Sequence, residues 1–269
     1  MSIKFLVIGA SSGTGLHLVE TLLAKSFEVG IVVRNPSKAK DVFKSKFDSI
    51  SKVIKYEFGV STDSTELEKG MKWCDVLVSA IGSCTGRNPQ VDDYESIREM
   101  VRLFGSEKVD CSNKRFIMVS SMLITRPVHF ISLLLNTLAP YVLGWKALAE
   151  NELRKSKINY LIVRPGQLLN VASAPNVSFS QGDRITGKIS RQNLASTILD
   201  LAFSKDVTKR ATIEVSETKE VNQLDMKSIK EDTDKEIITA DHFNTTVYLQ
   251  FVIYSLLFAF FCYIITWFK

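Results

Sequence analysis

The sequence predicts an α/β fold: one doubly wound, mostly parallel sheet in a single domain, plus a C-terminal transmembrane helix. Three observations carry this expectation. An apolar run, Ile3–Ile8, feeds a glycine-rich turn and an amphipathic helix; the same alternation of strand and helix repeats to about Val215; and an uncharged stretch covers Val247–Phe268.

The first unit is the most specific. Phe5, Leu6, Val7 and Ile8 are consecutive apolar residues, the pattern of a parallel strand covered on both faces. Gly9-Ala10-Ser11-Ser12-Gly13-Thr14-Gly15 turns the chain, and apolar positions at helical spacing follow from Leu16 to Leu23. In such a turn one glycine permits the tight bend, a second lets backbone approach a pyrophosphate, and a third lets helix and strand pack closely. The helix N-terminus adds unpaired N–H groups and a positive dipole. Gly9, Ser11, Ser12, Gly13, Thr14 and Gly15 are therefore candidate dinucleotide ligands on a Rossmann-type sheet.

The second strand, Val29–Val33, ends in Arg34-Asn35-Pro36-Ser37-Lys38. An acidic residue at this tip accepts the ribose hydroxyl of NAD, whereas an arginine accommodates the 2′-phosphate of NADP. Arg34, with Asn35 beside it, predicts NADPH in preference to NAD. The lysines that follow, Lys38, Lys40, Lys44 and Lys46, read as a solvated helix face.

A third strand is expected over Lys52–Phe58, a short helix over Thr65–Met71 and a fourth strand over Asp75–Gly82. Ala80, Ile81 and Gly82 fall at the carboxyl edge, where small residues let a ribose or nicotinamide sit against backbone. A helix over about Tyr94–Phe104 precedes the fifth strand, Phe116–Ser121, whose tip carries the Ser120 and Ser121 hydroxyls. The sixth strand, Tyr160–Gly166, ends in Pro165-Gly166, which sends the chain over the cofactor edge. A helix from Ile189 to about Phe203 and a short strand, Thr212–Val215, complete a domain of residues 1–216.

At 269 residues and 45% hydrophobic content, the chain can bury one substantial core. Its net charge of +5 comes from scattered lysines, which excludes a nucleic-acid-binding stripe. Cys74, Cys84, Cys111 and Cys262 lack metal-ligand spacing, and His17, His129 and His242 are dispersed, so reduced thiols and no metal site are expected. Residues 217–246 are rich in charge and read as a flexible linker. At ~1.5 Å per residue, residues 247–268 reach across a hydrocarbon core of ~30 Å. Tyr248 and Trp267 suit its two interfaces. A tail anchor follows, with the domain facing the cytosol and the endoplasmic reticulum favoured over the mitochondrial outer membrane.

Several motifs in order resemble one family. They are Gly9-x-x-x-Gly13-x-Gly15, Val33-Arg34-Asn35-Pro36, Asp75–Gly82, Val119-Ser120-Ser121, Gly144-Trp145-Lys146 with Glu150, Val163-Arg164-Pro165-Gly166 and Ile189-Ser190-Arg191. Together they resemble the atypical short-chain dehydrogenase/reductases, the group of NmrA-like proteins and the flavin/biliverdin reductase B type. The resemblance implies that Lys146 matches a lysine which holds the nicotinamide ribose and lowers the pKa of a tyrosine four residues before it. That position holds Val142. Tyr141 is one residue out of register, a rotation of about 100° on a helix. Met122 stands where many relatives keep a catalytic hydroxyl, and Val60 where an aspartate near the adenine is common.

The candidate catalytic residues are thus Lys146, Ser121, Tyr141 and His129; the last lies on a stretch that covers the substrate side in relatives. Ser120, Lys146, Pro165 and Gly166 join the cofactor set. The apolar segment Phe130–Leu138 suits core packing or a mouth for a lipid-like or quinone-like small molecule. Two functions stay open. One is a membrane-anchored NADPH-dependent oxidoreductase acting on an apolar carbonyl, quinone or flavin; the other is a non-catalytic NADPH-binding sensor or scaffold with protein partners.

Overall fold

Alternation along a single strand decides the layers. In β1 (Lys4–Ile8), Phe5 and Val7 face one core and Leu6 and Ile8 the other, and all four are buried. A strand apolar on both faces needs helices above and below it. On the Phe5 side lie α1 (Gly13–Ala24), α2 (Pro36–Phe43) and α7 (Arg191–Phe203), through residues such as Leu18, Leu22, Phe43 and Ile198. On the Leu6 side lie α3 (Thr65–Trp73), α4 (Ser96–Phe104) and α6 (Val142–Lys155), through Leu67, Met100 and Leu153. The computed structural model describes residues 2–82, 87–172, 174–184, 186–204, 210–219, 229–233 and 237–267.

The remaining strands are β2 (Glu28–Val33), β3 (Lys52–Lys55), β4 (Val76–Ser79), β5 (Arg115–Val119), β6 (Tyr160–Pro165), β7 (Gln167–Leu169), β8 (Asn176–Ser180), β9 (Lys188–Ser190) and β10 (Ala211–Thr218). Seven of them join β1 in one sheet of the order β3-β2-β1-β4-β5-β6-β10-β8. Every pairing in it is parallel except β10 with β8. From β1 the chain winds outward to β3, then crosses to β4 and winds the other way. The carboxyl ends of β1 and β4 therefore flank the crevice where such sheets bind ligands. Small strands β7 and β9 pair in parallel beside it.

One buried charge cluster ties the sheet to α6. Arg164 donates to both Glu150 oxygens, at 2.9 and 2.6 Å, while Arg154 and Ser120 donate to the same carboxylate at 2.9 and 2.7 Å. Burial would raise the Glu150 carboxyl, but Arg164 and Arg154 together with these hydrogen bonds hold it down at about 2. Elsewhere, burial pushes the Cys74 thiol up to about 12, which makes it inert.

The C-terminal part departs from the sequence expectation in three places. β10 runs to Thr218, past the expected domain end at 216. Within the expected linker, Ile229 and Ile238 are buried. Asp232 accepts from the Thr212 N–H and hydroxyl, at 2.9 and 2.6 Å, and from the Tyr160 hydroxyl at 3.0 Å. Asn151 exchanges two hydrogen bonds with the Ile238 backbone. A segment polar on average is fastened by these single residues, which composition does not reveal. Residues 220–228 and 234–236 of the expected linker lie outside the described residues. Finally, α8 (Ala240–Trp267) begins seven residues before the expected anchor. Its stretch Asn244–Ile265 is long and apolar enough to cross a membrane, and little of it is buried.

Other elements were not expected: β7, β8, β9 and α5 (Phe130–Leu138); α2 is the expected lysine-bearing helix, though it ends at Phe43, before Lys44 and Lys46. The helix expected from Tyr94 is preceded by a wide π-type turn, Gln90–Glu95, that continues into α4.

Candidate functional site

The turn after β1 is shaped by backbone contact. A Cβ on Gly9 would stand 2.9 Å from the Ala80 carbonyl, and one on Gly15 only 2.3 Å from the Gly9 oxygen. Gly9 has φ +79°, a left-handed conformation that favours glycine. Gly13 is different: its missing Cβ would meet only Arg191 Nε, at 3.7 Å, so space is left above it. Ser12 makes no side-chain cap and the first turn of α1 carries no acidic residue, which leaves its N–H groups free of a competing carboxylate. The Thr14 hydroxyl is buried without a hydrogen-bond partner. An open glycine, uncapped helix donors and an orphaned hydroxyl in one cradle fit a pyrophosphate.

Two clefts extend from this cradle and share Ser12, Ala80, Ile81 and Gly82. The first adds Gly9, Ser11, Arg34, Tyr56 and Phe58. Arg34 stands at the end of β2, half-exposed, its guanidinium 3.9 Å from Glu57. Asn35, expected at the cofactor, instead accepts from the Lys38 N–H at 3.1 Å and caps α2. Asn-Pro at the start of a helix is a cap followed by a favoured first residue, and that local bond outcompetes a ligand role.

The second cleft adds Gly13, Thr14, Ser120, Ser121, Lys146 and Arg191, with Pro165 and Gly166 at one side. Lys146 and Asp93 form a buried ion pair at 2.6 Å, with the lysine side chain 11% exposed and the aspartate fully covered. Lys146 Nζ reaches to 3.9 Å from where a Cβ on Gly82 would stand, so it lies over the carboxyl edge of β4. The rest of the lining includes an aliphatic group: Leu135, Leu138, Ala139, Val142 and Leu143. Gly166 is needed for packing, since its Cβ would come within 2.3 Å of the Gly187 oxygen.

Of the four catalytic candidates, the structure brings only Lys146 and Ser121 into this cleft. Ser121 donates to the Met122 carbonyl at 3.1 Å, and Ser120 is committed to Glu150. Tyr141 sits at the left-handed corner before α6, φ +58°, and does not line the cleft; Val142 does. The helix starts after the tyrosine, so no irregular turn brings it into register with Lys146. His129 is the N-cap of α5, its Nδ1 accepting from the Ile131 N–H at 3.2 Å. An imidazole held as a cap outside the cleft has no route to a reacting atom there.

Sequence reasoning missed Asp93, Arg87, Asp92 and Arg191 as site residues. The π-type turn directs Asp92 to the first cleft, where Arg87 binds it through two donors, and Asp93 to Lys146 in the second. Such turns mark functional positions often, and adjacent carboxylates just before a helix were the available signal. Arg191 donates to Asn170 at 2.7 Å and overhangs Gly13.

Comparison with known proteins agrees with this geometry. The chain is 30% identical, over 221 residues, to an uncharacterised chloroplastic protein of Arabidopsis thaliana, covering 76% of this chain and 73% of that protein. Among solved structures it resembles an NAD-dependent epimerase/dehydratase candidate from Bacillus halodurans, at 25% identity and TM-score 0.66 over 81% of this chain and 95% of that one. An anaerobilin reductase of Escherichia coli O157:H7 matches at 20% identity and TM-score 0.64, over 80% and 97% of the two chains. A wide-type short-chain dehydrogenase/reductase of Veillonella parvula, solved with NADP, matches at 19% and 0.63, over 81% and 95%. The last two likenesses show the fold alone. Residues 9–205 match the NAD(P)H-binding family model, and on that match, with a cradle that fits the dinucleotide, the chain belongs to this NAD(P)H-binding family.

Proposed function

We propose that the protein is a membrane-anchored, NADPH-dependent oxidoreductase that reduces an apolar carbonyl, quinone or flavin. The observation that carries this is the second cleft, where the buried Lys146–Asp93 pair shares the lining with a group of aliphatic side chains. When bound, NADPH supplies a hydride. The glycine cradle and the α1 N-terminus hold the pyrophosphate, and Arg34 recognises the 2′-phosphate that distinguishes NADPH from NADH. Asp93 keeps the Lys146 ammonium in place at the β4 edge, where its N–H groups can bind a ribose hydroxyl or an acceptor oxygen gaining charge. Leu135, Leu138, Val142 and Leu143 exclude water from the acceptor and select an apolar one. With valine at 142, the proton required for reduction comes from the Lys146 ammonium or from water, which suits quinones and flavins better than simple ketones.

Helix α8 supplies the anchor, and the length of its apolar run favours the endoplasmic reticulum over the mitochondrial outer membrane. Fractionation of tagged full-length protein checks this.

The test of activity is NADPH oxidation by the purified full chain in detergent, against a panel of quinones, flavins and apolar carbonyls. Turnover with at least one acceptor is expected, with kcat lowered at least tenfold in Lys146→Met while NADPH still binds. Tight NADPH binding with no turnover across the panel overturns the enzyme reading. Val142 at the position of the expected tyrosine favours, in that event, a non-catalytic NADPH sensor, whose protein partners would differ between loaded and cofactor-free forms.

A further inference from the structure

Helix α5 is built inside out. Its polar residues face the protein: Ser132 is fully buried and donates to the Leu123 carbonyl at 3.2 Å, and Asn136 is buried and accepts from the Leu143 N–H at 3.0 Å. Its large apolar residues face outward, with Phe130 75%, Leu134 46% and Leu138 70% exposed, one above another at intervals of four. Val128 and Ile131 extend the patch. No Asp, Glu, Lys or Arg occurs between Arg126 and Lys146. A helix against water has the opposite polarity.

The occupant of that face follows from α8. Gln250 is buried and donates to the Thr137 hydroxyl at 3.0 Å, and the Tyr254 hydroxyl donates to the Thr137 carbonyl at 3.1 Å. These bonds fix α5 beside a defined level of α8. Counted from Val247, Gln250 and Tyr254 lie about 5 and 11 Å along the uncharged run, at ~1.5 Å per residue. Of the stretch long and apolar enough to cross, Asn244–Ile265, the part beyond Tyr254 gives only about 17 Å, short of a hydrocarbon core of ~30 Å. A span of full thickness therefore has to include the turns that contact α5. Pairing Gln250 with Thr137 also removes the cost of an unsatisfied amide at that depth.

We infer that α5 is submerged in the bilayer beside α8, with Phe130, Leu134 and Leu138 among the acyl chains. Nine residues, about 14 Å, are too few to cross, so α5 rests within one leaflet. Leu138 is both exposed to that leaflet and part of the wall of the Lys146 cleft. The mouth of the site thus opens into lipid, and its acceptor is a molecule dissolved in the bilayer that enters sideways rather than from water. This rests on the membrane reading of α8.

The test places single cysteines in the full chain, with Cys84, Cys111 and Cys262 changed to alanine and buried Cys74 retained. Leu134→Cys, Leu138→Cys, Phe258→Cys on the span and Lys25→Cys at the far end of α1 are labelled with an environment-sensitive dye. Each is reconstituted in phosphatidylcholine nanodiscs containing lipids brominated on the upper acyl carbons. Blue-shifted emission and quenching are expected at 134, 138 and 258, and neither at 25. Quenching at 258 with positions 134 and 138 behaving like 25 overturns the inference while leaving the anchor intact. No quenching at 258 either overturns the membrane reading itself. Two α5 positions guard against a local effect of either substitution, since both side chains are exposed.

Discussion

The two halves of the crevice are made of different material. The phosphate cradle of the first is built of backbone, where Gly9, Gly15 and the carboxyl end of β4 approach so closely that no side chain fits between them, while Arg34, Tyr56 and Phe58 line the rest of that cleft. The second is built of side chains from distant segments, with Asp93 from the π-type turn, Lys146 and Val142 from α6, and Leu135 and Leu138 from α5. A backbone site is written in a short contiguous motif and recognises a ligand common to a whole family. A side-chain site is assembled by the fold and can change its chemistry without disturbing the cradle, as the valine at 142 illustrates.

The largest effect should come from filling the backbone half. Gly15→Ala places a methyl 2.3 Å from the Gly9 carbonyl, so either the α1 turn shifts or the protein unfolds. Loss of NADPH affinity by at least 100-fold, or about 3 kcal/mol, is expected by calorimetry. Gly82→Ala meets no protein atom closer than 3.9 Å and should leave the melting temperature within about 2 °C of the parent. A thermal loss equal to that of Gly15→Ala would break the contrast.

Next in size is the buried cluster that holds the side-chain half to the sheet. Glu150→Ala removes the nearer carboxylate of Arg164 and Arg154, leaving them only the longer contacts to Glu214 and Asp232, and should cost about 3 kcal/mol in denaturant unfolding. The same group gives a pH signature. Its carboxyl is depressed to about 2 in the folded state, against about 4.3 unfolded, so its stabilisation is complete above about pH 4.5. It is lost as pH falls towards 2, by about 3 kcal/mol, and Glu150→Gln should flatten that acid limb.

What was legible in the sequence follows the same division. The strands of the parallel sheet and the glycine turn were legible because each strand and each glycine answers a local steric demand. Asp93 and Arg191 were not, because their importance exists only once α6 and the turn after β9 bring them to the crevice. Tyr141 and His129 were legible as residue types but misleading as sites: a left-handed helix entry and a cap claim them. Residues 229–233 and 237–239 escaped because their few anchoring residues, Ile229, Asp232 and Ile238, are diluted in polar sequence.

The two neighbours at the tip of β2 separate ligand recognition from local structure most finely. Arg34 is half-exposed and tied to Glu57 only at 3.9 Å, so Arg34→Ala should leave stability unchanged while lowering NADPH affinity ten- to fifty-fold and NADH affinity not at all. Asn35 should behave in the opposite way. Its carboxamide receives the Lys38 N–H, so Asn35→Ala removes a cap worth about 1 kcal/mol and lowers the melting temperature by a few degrees, with NADPH affinity within twofold of the parent. A tenfold loss of NADPH binding in Asn35→Ala, without the thermal shift, would return Asn35 to the cofactor site and extend the side-chain-built region into the adenosine half of the crevice.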